Sequence, residues 1–193
     1  MVVRLRGRLL YHGWATDKLN TYSYHTMELI VLRVIHVLGG IMWAGIGIFM
    51  AFFLGPAMQS MGPTGGQVMG ALQKRKFMVI MPIIALLTIL SGLRLMMIAS
   101  GNFGAGYFQT PMGRTFAGAG LAAILAFVIG LAVNLPTMRR MGTLQQAMAS
   151  DPVSKERIAA EIKQLQKRMS VVGSVVLLLL LIAATGMAVA RYM

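Results

Sequence analysis

The chain has no cysteine and very few acidic residues, and both absences limit what it can do. Of its 193 residues, 5 are Asp or Glu and 18 are Lys or Arg, so the formal net charge is +13. Without cysteine there is no disulfide, thiolate metal site or thiol nucleophile. Only 12% of the residues are charged and 57% are hydrophobic, whereas soluble domains carry about a quarter charged residues. The chain is therefore too apolar for a water-soluble protein, and its positive charge indicates membrane orientation rather than a nucleic-acid partner.

Four long apolar runs predict an all-α integral membrane protein. About 20 helical residues cross a bilayer core of about 30 Å, and backbone amides in lipid must be paired within their own segment, so each run should be a helix. Pro56 and Pro136 stand just past the first and third runs, where we expect those helices to stop. We predict a four-helix up-down bundle over residues 27–193. The predicted spans are 29–54, 77–99, 115–135 and 171–190.

A basic hairpin at about 138–168 is predicted to extend spans three and four into the cytoplasm. Asp151 and Pro152 form a helix-start signal, which is followed by apolar residues at helical spacing. Such a hairpin either projects into water or lies on anionic lipid headgroups. The spaced apolar residues are Ile158, Ile162, Leu165 and Met169.

The segment 1–26 lacks the apolar stretch of a secretory signal, and its aromatic residues are typical of a membrane–water boundary. We predict an interfacial segment; the alternative is a polar tail. The first and third loops hold ten Lys or Arg residues, against six in the N-terminal segment, second loop and C-terminus. The positive-inside rule then places both termini outside the cytoplasm. The aromatic residues are Tyr11, Trp14, Tyr22 and Tyr24.

Several cationic or titratable groups fall at one level of the predicted bundle, with few acids to oppose them. Charged groups inside a bilayer are expensive, so each needs a reason. They either reach toward lipid phosphates or meet an anionic partner, such as haem propionates, a lipid headgroup or carboxylates of another subunit. The groups are Arg33, His36, Arg94, Arg114 and Arg191, and the acids nearby in sequence are Asp17 and Glu28.

His36 is the one histidine within a predicted span and the candidate metal ligand. Arg33, His36, Gly40 and Trp43 fall, with Gly47, within an arc of about 80° on the first helix. A haem or chlorin would fit such a face, with the imidazole on the metal, the glycines leaving room, and Arg33 or Arg94 on a propionate. The alternative is a histidine that bonds to a neighbouring helix. Bis-histidine haem within this chain is excluded, because no span holds a second histidine.

Small residues recur every four positions in two of the spans, and this spacing lets helices approach closely in lipid. These stripes serve either internal packing or docking of another protein. The 18 methionines suit Cu(I), but they also fill apolar space. The stripes are Gly118, Ala122, Ala126, Gly130 and Gly47, Ala51, Gly55; the helically spaced methionine pairs are Met58 and Met61, Met78 and Met81, Met138 and Met141.

The first half of the chain resembles a known family. The pattern His36-x6-Trp43-x-Gly45 resembles the first helix of copper-resistance D-type membrane domains and of the related membrane-embedded protoporphyrinogen oxidases of bacteria. Arg75-x6-Pro82, with Thr88 and Gly92, is similar to their second helix. Over residues 30–98 the resemblance implies a four-helix protein of the bacterial inner membrane, with haem b or copper near His36. Where the oxidases carry a lysine and a further histidine around the third helix, this chain has Arg114 and Asn134.

No catalytic constellation is visible in the sequence. The spans hold no Asp or Glu, and the chain has neither a nucleophile–base pair nor a phosphate-binding glycine loop. We therefore expect a non-catalytic accessory subunit of a photosynthetic or respiratory membrane complex, contacting lipid and other membrane subunits. The alternative is a haem b- or copper-binding membrane protein of the resembled group. A small standalone transporter comes last, because ion coupling usually needs intramembrane carboxylates.

Overall fold

A computed structural model describes residues 3–61, 63–150 and 155–193, with side chains over 25–61, 64–148 and 155–193. These residues are mainly helical and contain no strand. Two π-helical turns, Met50–Leu54 and Gly130–Asn134, join α1 to α2 and α6 to α7. A 3-10 turn, Ala190–Tyr192, follows the last helix. The helices are α1 (Val3–Phe49), α2 (Gly55–Ser60), α3 (Pro63–Lys74), α4 (Phe77–Ala99), α5 (Ala105–Gln109), α6 (Pro111–Ile129), α7 (Leu135–Ser150) and α8 (Lys155–Val189).

Four helical stretches are long and apolar enough to cross a membrane, as the apolar runs predict. They are His25–Ser60, Phe77–Ala99, Pro111–Met148 and Lys155–Tyr192. The second coincides with its predicted bounds, whereas the other three extend beyond theirs. The third and fourth each have 38 residues, or about 57 Å of helix, which exceeds a bilayer core of about 30 Å.

The helices do not stop at Pro56 and Pro136, so that prediction is wrong. Proline lacks an N–H, and its ring collides with the carbonyl four residues earlier in a regular α-helix. In both places a π turn ends two residues before the proline. The wider turn makes room for the ring, and the chain continues as helix on the other side.

Two helix pairs form most of the packing, α1 with α4 and α6 with α8. Glu28 of α1 contacts Arg94 and His36 contacts Thr88, so residue numbers fall along α4 as they rise along α1. In the second pair, a Cβ added at Gly186 would stand 2.8 Å from the Ala119 Cβ, which indicates close backbone approach.

Small side chains make up much of the described core: six of its ten buried hydrophobic residues are alanine, and the others are isoleucine or leucine. Small residues at such positions let helices approach closely. Ala122 and Ala126 of the predicted stripe are buried inside, whereas a Cβ at Gly118 or Gly130 would meet nothing within 4 Å. In the stripe of the first span, which is Gly47, Ala51 and Gly55, Ala51 is exposed. Internal packing therefore uses only part of the two stripes. The buried alanines are Ala85, Ala119, Ala122, Ala126, Ala183 and Ala190.

The segment between the third and fourth spans is helical on both sides of the undescribed residues 151–154. Ile158 and Ile162 are buried, so the apolar spacing predicted for this part of α8 is confirmed. Arg140 of α7 forms an ion pair with Glu161 of α8. The helix-start signal at Asp151 and Pro152 lies outside the described residues. So do the side chains of 1–24, on which the interfacial prediction depends; the backbone there is helical from Val3.

Candidate functional site

His36 lies at the interface between α1 and α4 and bonds to the neighbouring helix. Its Nδ1 is 2.8 Å from the backbone oxygen of Thr88. Because a carbonyl oxygen only accepts hydrogen bonds, Nδ1 donates and carries the proton. The Ser91 hydroxyl donates to the Leu87 oxygen at 2.7 Å and also lies 3.0 Å from the Thr88 oxygen. The bond from His36 to Thr88 is the helix-to-helix bond that the sequence left open as the alternative to metal ligation, and it fixes the ring orientation.

Glycines on both helices allow this close approach. A Cβ added at Gly92 would stand 2.6 Å from Cε1 of His36, so the imidazole ring occupies the space a side chain would take. A Cβ at Gly39 would overlap Oγ1 of Thr88, and one at Gly40 would be 3.8 Å from its Cγ2. The space above these glycines is thus filled by α4. The residues as arranged do not fit a haem or chlorin on this face, because a flat ring would have to separate α1 from α4.

The two arginines proposed to hold an anionic group are in different situations. Nε and Nη2 of Arg94 lie 2.7 Å and 2.6 Å from Oε1 of Glu28, so this cation is matched within the chain. His25 approaches the other oxygen of Glu28 at 3.9 Å. Arg33 is exposed and forms no ion pair with any side chain that the structure describes. Arg33 is therefore the one of the two that is free to meet an external anion.

We expect the Glu28–Arg94 pair to contribute about 0.5–1 kcal/mol to the unfolding free energy. Its side chains are 33% and 42% exposed, and exposed ion pairs are worth little. The measurement is a double-mutant cycle of Glu28→Gln and Arg94→Gln by SDS titration in mixed micelles. The Arg140–Glu161 pair gives a matched cycle outside the predicted spans 115–135 and 171–190. A coupling above about 2 kcal/mol for Glu28–Arg94 alone would show that the pair is shielded from water.

Trp43 lies one helical turn beyond the glycines and lines a cavity of about 170 Å³. Its ring meets Phe127 of α6 edge-on, with centroids 6.3 Å apart. Met78, Met81 and Met138 also line this space. Asn134, in the second π turn, also lines this space. Its Oδ1 is buried and has no hydrogen-bond partner among the described residues. We call this space the Asn134 cavity.

The candidate site residues therefore divide into three groups. His36 and Gly40 face α4, and Trp43 lines the cavity. The third group is the two arginines, of which Arg94 of α4 is paired with Glu28 of α1 and Arg33 is exposed. The arc of about 80° on the first helix was predicted from helical spacing, and its members other than Arg33 face neighbouring helices. The described side chains contain no cluster of three His, Cys, Asp or Glu residues that could hold a metal. Sequence reasoning missed Ser91, whose hydroxyl bonds to backbone oxygens within α4. It also missed the meeting of three methionines around one cavity, which depends on how α4 docks against α6 and α7.

No family model, curated protein or solved structure matches the chain. The resemblance of residues 30–98 to the copper-resistance D group stays a sequence-based expectation.

Proposed function

We propose that the chain is a non-catalytic accessory subunit of a larger energy-converting membrane complex, photosynthetic or respiratory, and that it docks through α1. The observation that carries this is the exposed Arg33, a cation among apolar side chains without an ion-pair partner in the described part of the chain. Ile30, Val37 and Ile41 share its helix face and are 51%, 54% and 63% exposed. An anionic group on a neighbouring subunit would pair with the Arg33 cation, and apolar side chains of that subunit would cover the exposed apolar residues on the same face of α1.

The position of α1 at the edge of the helix assembly supports this choice of face. In its most apolar 18-residue window no residue is buried, against 17% in each of the other three candidate spans. The described core contains no large side chain that is fully buried. An assembly with so small an interior has much of its apolar surface left for lipid or for other membrane helices.

The proposed topology is an up-down bundle with both termini outside the cytoplasm of a bacterial inner membrane. The opposite residue order of the α1–α4 contacts, and of the contacts that α6 and α7 make with α8, supports the antiparallel arrangement. The basic side chains of α7 and α8 then lie on the cytoplasmic side, where anionic lipid headgroups would attract them.

The test is the behaviour of the chain after native membranes are dissolved in a mild detergent. We expect the wild-type chain to migrate with other polypeptides in an assembly larger than itself on native gels. A photo-crosslinking residue placed at Val37 should label one membrane protein. Arg33→Leu should reduce that labelling at least fivefold, because the buried anion on the partner would lose its match.

Arg191→Leu is the matched control, since Arg191 is also an exposed arginine at the end of a span. It should leave both the migration and the crosslink unchanged. A wild-type chain that runs as a stable monomer would contradict the proposal, and so would an Arg33→Leu variant that crosslinks as well as wild type. A Soret band in the isolated chain that disappears in His36→Ala would instead favour the haem-binding alternative.

A further inference from the structure

The Asn134 cavity is elongated along the helices that form its walls. Met78, Met81 and Ala85 line it along α4, and residues between Ala126 and Met138 line it along the α6–α7 helix. The second of these walls corresponds to about 18 Å of helix, which is close to half of a bilayer core of about 30 Å. The cavity volume of about 170 Å³ is too small for another helix. It is large enough for a stretch of hydrocarbon chain, since about 150 Å³ holds benzene.

The cavity is open to the side that would face lipid. Leu131, which lines it, is 41% exposed, and none of the described lining side chains is charged. Gly130 leaves the wall thin, because a Cβ added there would meet nothing within 4 Å. An apolar cavity that opens sideways at membrane depth suits a lipid acyl chain.

Cations gather at the end of the cavity that lies nearest the basic hairpin. Met78 and Met138 both line the cavity, so the residues just before α4 lie beside this part of α7. Arg139 follows Met138 and shares a helix face with Leu135, which is also a lining residue. We call the cations at this end the basic cluster; they are Lys74, Arg75, Lys76 and Arg139.

The basic cluster has no neutralising partner in the described part of the chain. All four of its side chains are exposed, and none forms an ion pair with a described side chain. Glu161, the acid that α8 brings to this level, is already paired with Arg140. In addition, α4 begins without a side-chain cap or an acidic residue in its first turn. The unpaired N–H groups of that turn therefore add to the positive potential.

We propose that the Asn134 cavity and the basic cluster form a binding site for one anionic phospholipid, with an acyl chain in the cavity and the headgroup phosphate on the cluster. Basic pockets between membrane helices bind anionic lipid headgroups. The site differs from the general attraction of the hairpin to anionic lipid, because an apolar cavity leads directly away from the cations. A soluble polyanion would meet the cations but would leave the cavity unused.

The experiment measures quenching of Trp43 by lipids that carry bromine on their acyl chains. Trp43 lines the cavity, and Trp14→Phe leaves it as the single tryptophan of the full chain. The protein is reconstituted into phosphatidylcholine bilayers that contain equal small mole fractions of brominated phosphatidylglycerol or brominated phosphatidylcholine. We expect the site beside Trp43 to prefer phosphatidylglycerol about tenfold, because the two lipids differ in net charge and each nearby cation favours the anion.

Two pairs of charge substitutions test the basic cluster. Arg75→Gln combined with Arg139→Gln should reduce the preference to about threefold or less, because the phosphate loses two of its cations. The matched control combines Lys155→Gln with Arg157→Gln. It removes the same charge from exposed positions further along the hairpin, beyond Glu161, and should keep the tenfold preference.

A leucine at Gly130 tests the cavity separately from the cations. The added side chain would occupy part of the cavity, and its Cβ would meet nothing within 4 Å, so the variant should fold. It should lose most of the extra quenching by brominated phosphatidylglycerol. Gly118→Leu is the matched control, because a Cβ there also meets nothing within 4 Å and Gly118 does not line the cavity. This control should quench as the parent chain does.

Three outcomes would overturn the proposal: equal quenching by the two brominated lipids in the parent chain, equal losses in the two charge variants, and unchanged phosphatidylglycerol quenching in Gly130→Leu. Loss of the preference on addition of soluble glycerol phosphate would also overturn it, because a free phosphate would then suffice. None of these results depends on whether the chain docks through Arg33, so this inference and the proposed function fail separately.

Discussion

Replacing Gly39 by alanine is expected to lower the unfolding free energy by about 1–3 kcal/mol, the usual cost of overpacking. A Cβ at this position would overlap Oγ1 of Thr88 and stand 3.7 Å from the backbone oxygen of Ile84. The Thr88 side chain is only 6% exposed, and its hydroxyl donates to the Ile84 oxygen at 2.8 Å. Because this side chain cannot move outward, α1 and α4 must separate. SDS titration in mixed micelles measures the loss.

Two variants make this prediction sharp. Gly45→Ala lies on the same helix, where an added Cβ meets nothing within 4 Å, and should leave the stability unchanged or raise it by up to about 1 kcal/mol. Adding Thr88→Ala to Gly39→Ala removes the overlapping oxygen and should restore most of the lost free energy. If the double variant stays as unstable as Gly39→Ala, the Thr88 side chain is not what limits the approach of the two helices.

Gly113→Ala is expected to lower the unfolding free energy by more, about 2–4 kcal/mol, because the added Cβ would meet backbone atoms rather than a side chain. A Cβ at Gly113 would overlap the carbonyl oxygen of Tyr107 and stand 2.8 Å from its carbon. The N–H of Gly113 also donates to Oγ1 of Thr110, the residue that caps α6. That hydroxyl in turn donates to the Tyr107 oxygen at 2.7 Å. An alanine would therefore push the α5–α6 turn away and break the cap.

Gly118→Ala, five residues further along α6, is the control for this second prediction. A Cβ there meets nothing within 4 Å, so alanine should gain up to about 1 kcal/mol of helix propensity. Equal unfolding free energies for Gly113→Ala and Gly118→Ala would contradict the prediction, because they would show that the α5–α6 turn can move to accommodate the added Cβ without loss of stability. Thr110→Val should reproduce only the cap part of the loss, about 1 kcal/mol.

The four long helices could be predicted because apolar runs of span length have no other good structure in lipid. Their ends could not, since proline usually marks a stop. Pro56 and Pro136 are instead tolerated behind π turns, and Pro82 lies inside α4. Whether a helix ends or continues at proline depends on neighbours that satisfy the freed backbone groups, and these neighbours are not visible in local sequence.

The candidate site was predictable one helix at a time. Helical spacing placed His36, Gly40 and Trp43 on one face, but the acceptor for His36 is a backbone oxygen at Thr88, and a backbone carbonyl has no sequence signature. Glu28 was recognised as the nearby acid, yet its partner, Arg94, lies 66 residues away. The sequence marked Asn134 only as a departure from the resembled family, and its unpaired oxygen became visible only with the helices docked around it.

The π turn Gly130–Asn134 also controls which way the basic hairpin points. Such a turn holds one residue more than a regular α-helical turn needs, and one residue corresponds to about 100° of rotation about the helix axis. Losing a single residue there would straighten the backbone but swing Arg140 away from Glu161. The number of residues in this five-residue turn thus sets the direction in which the charged hairpin points relative to the apolar helices.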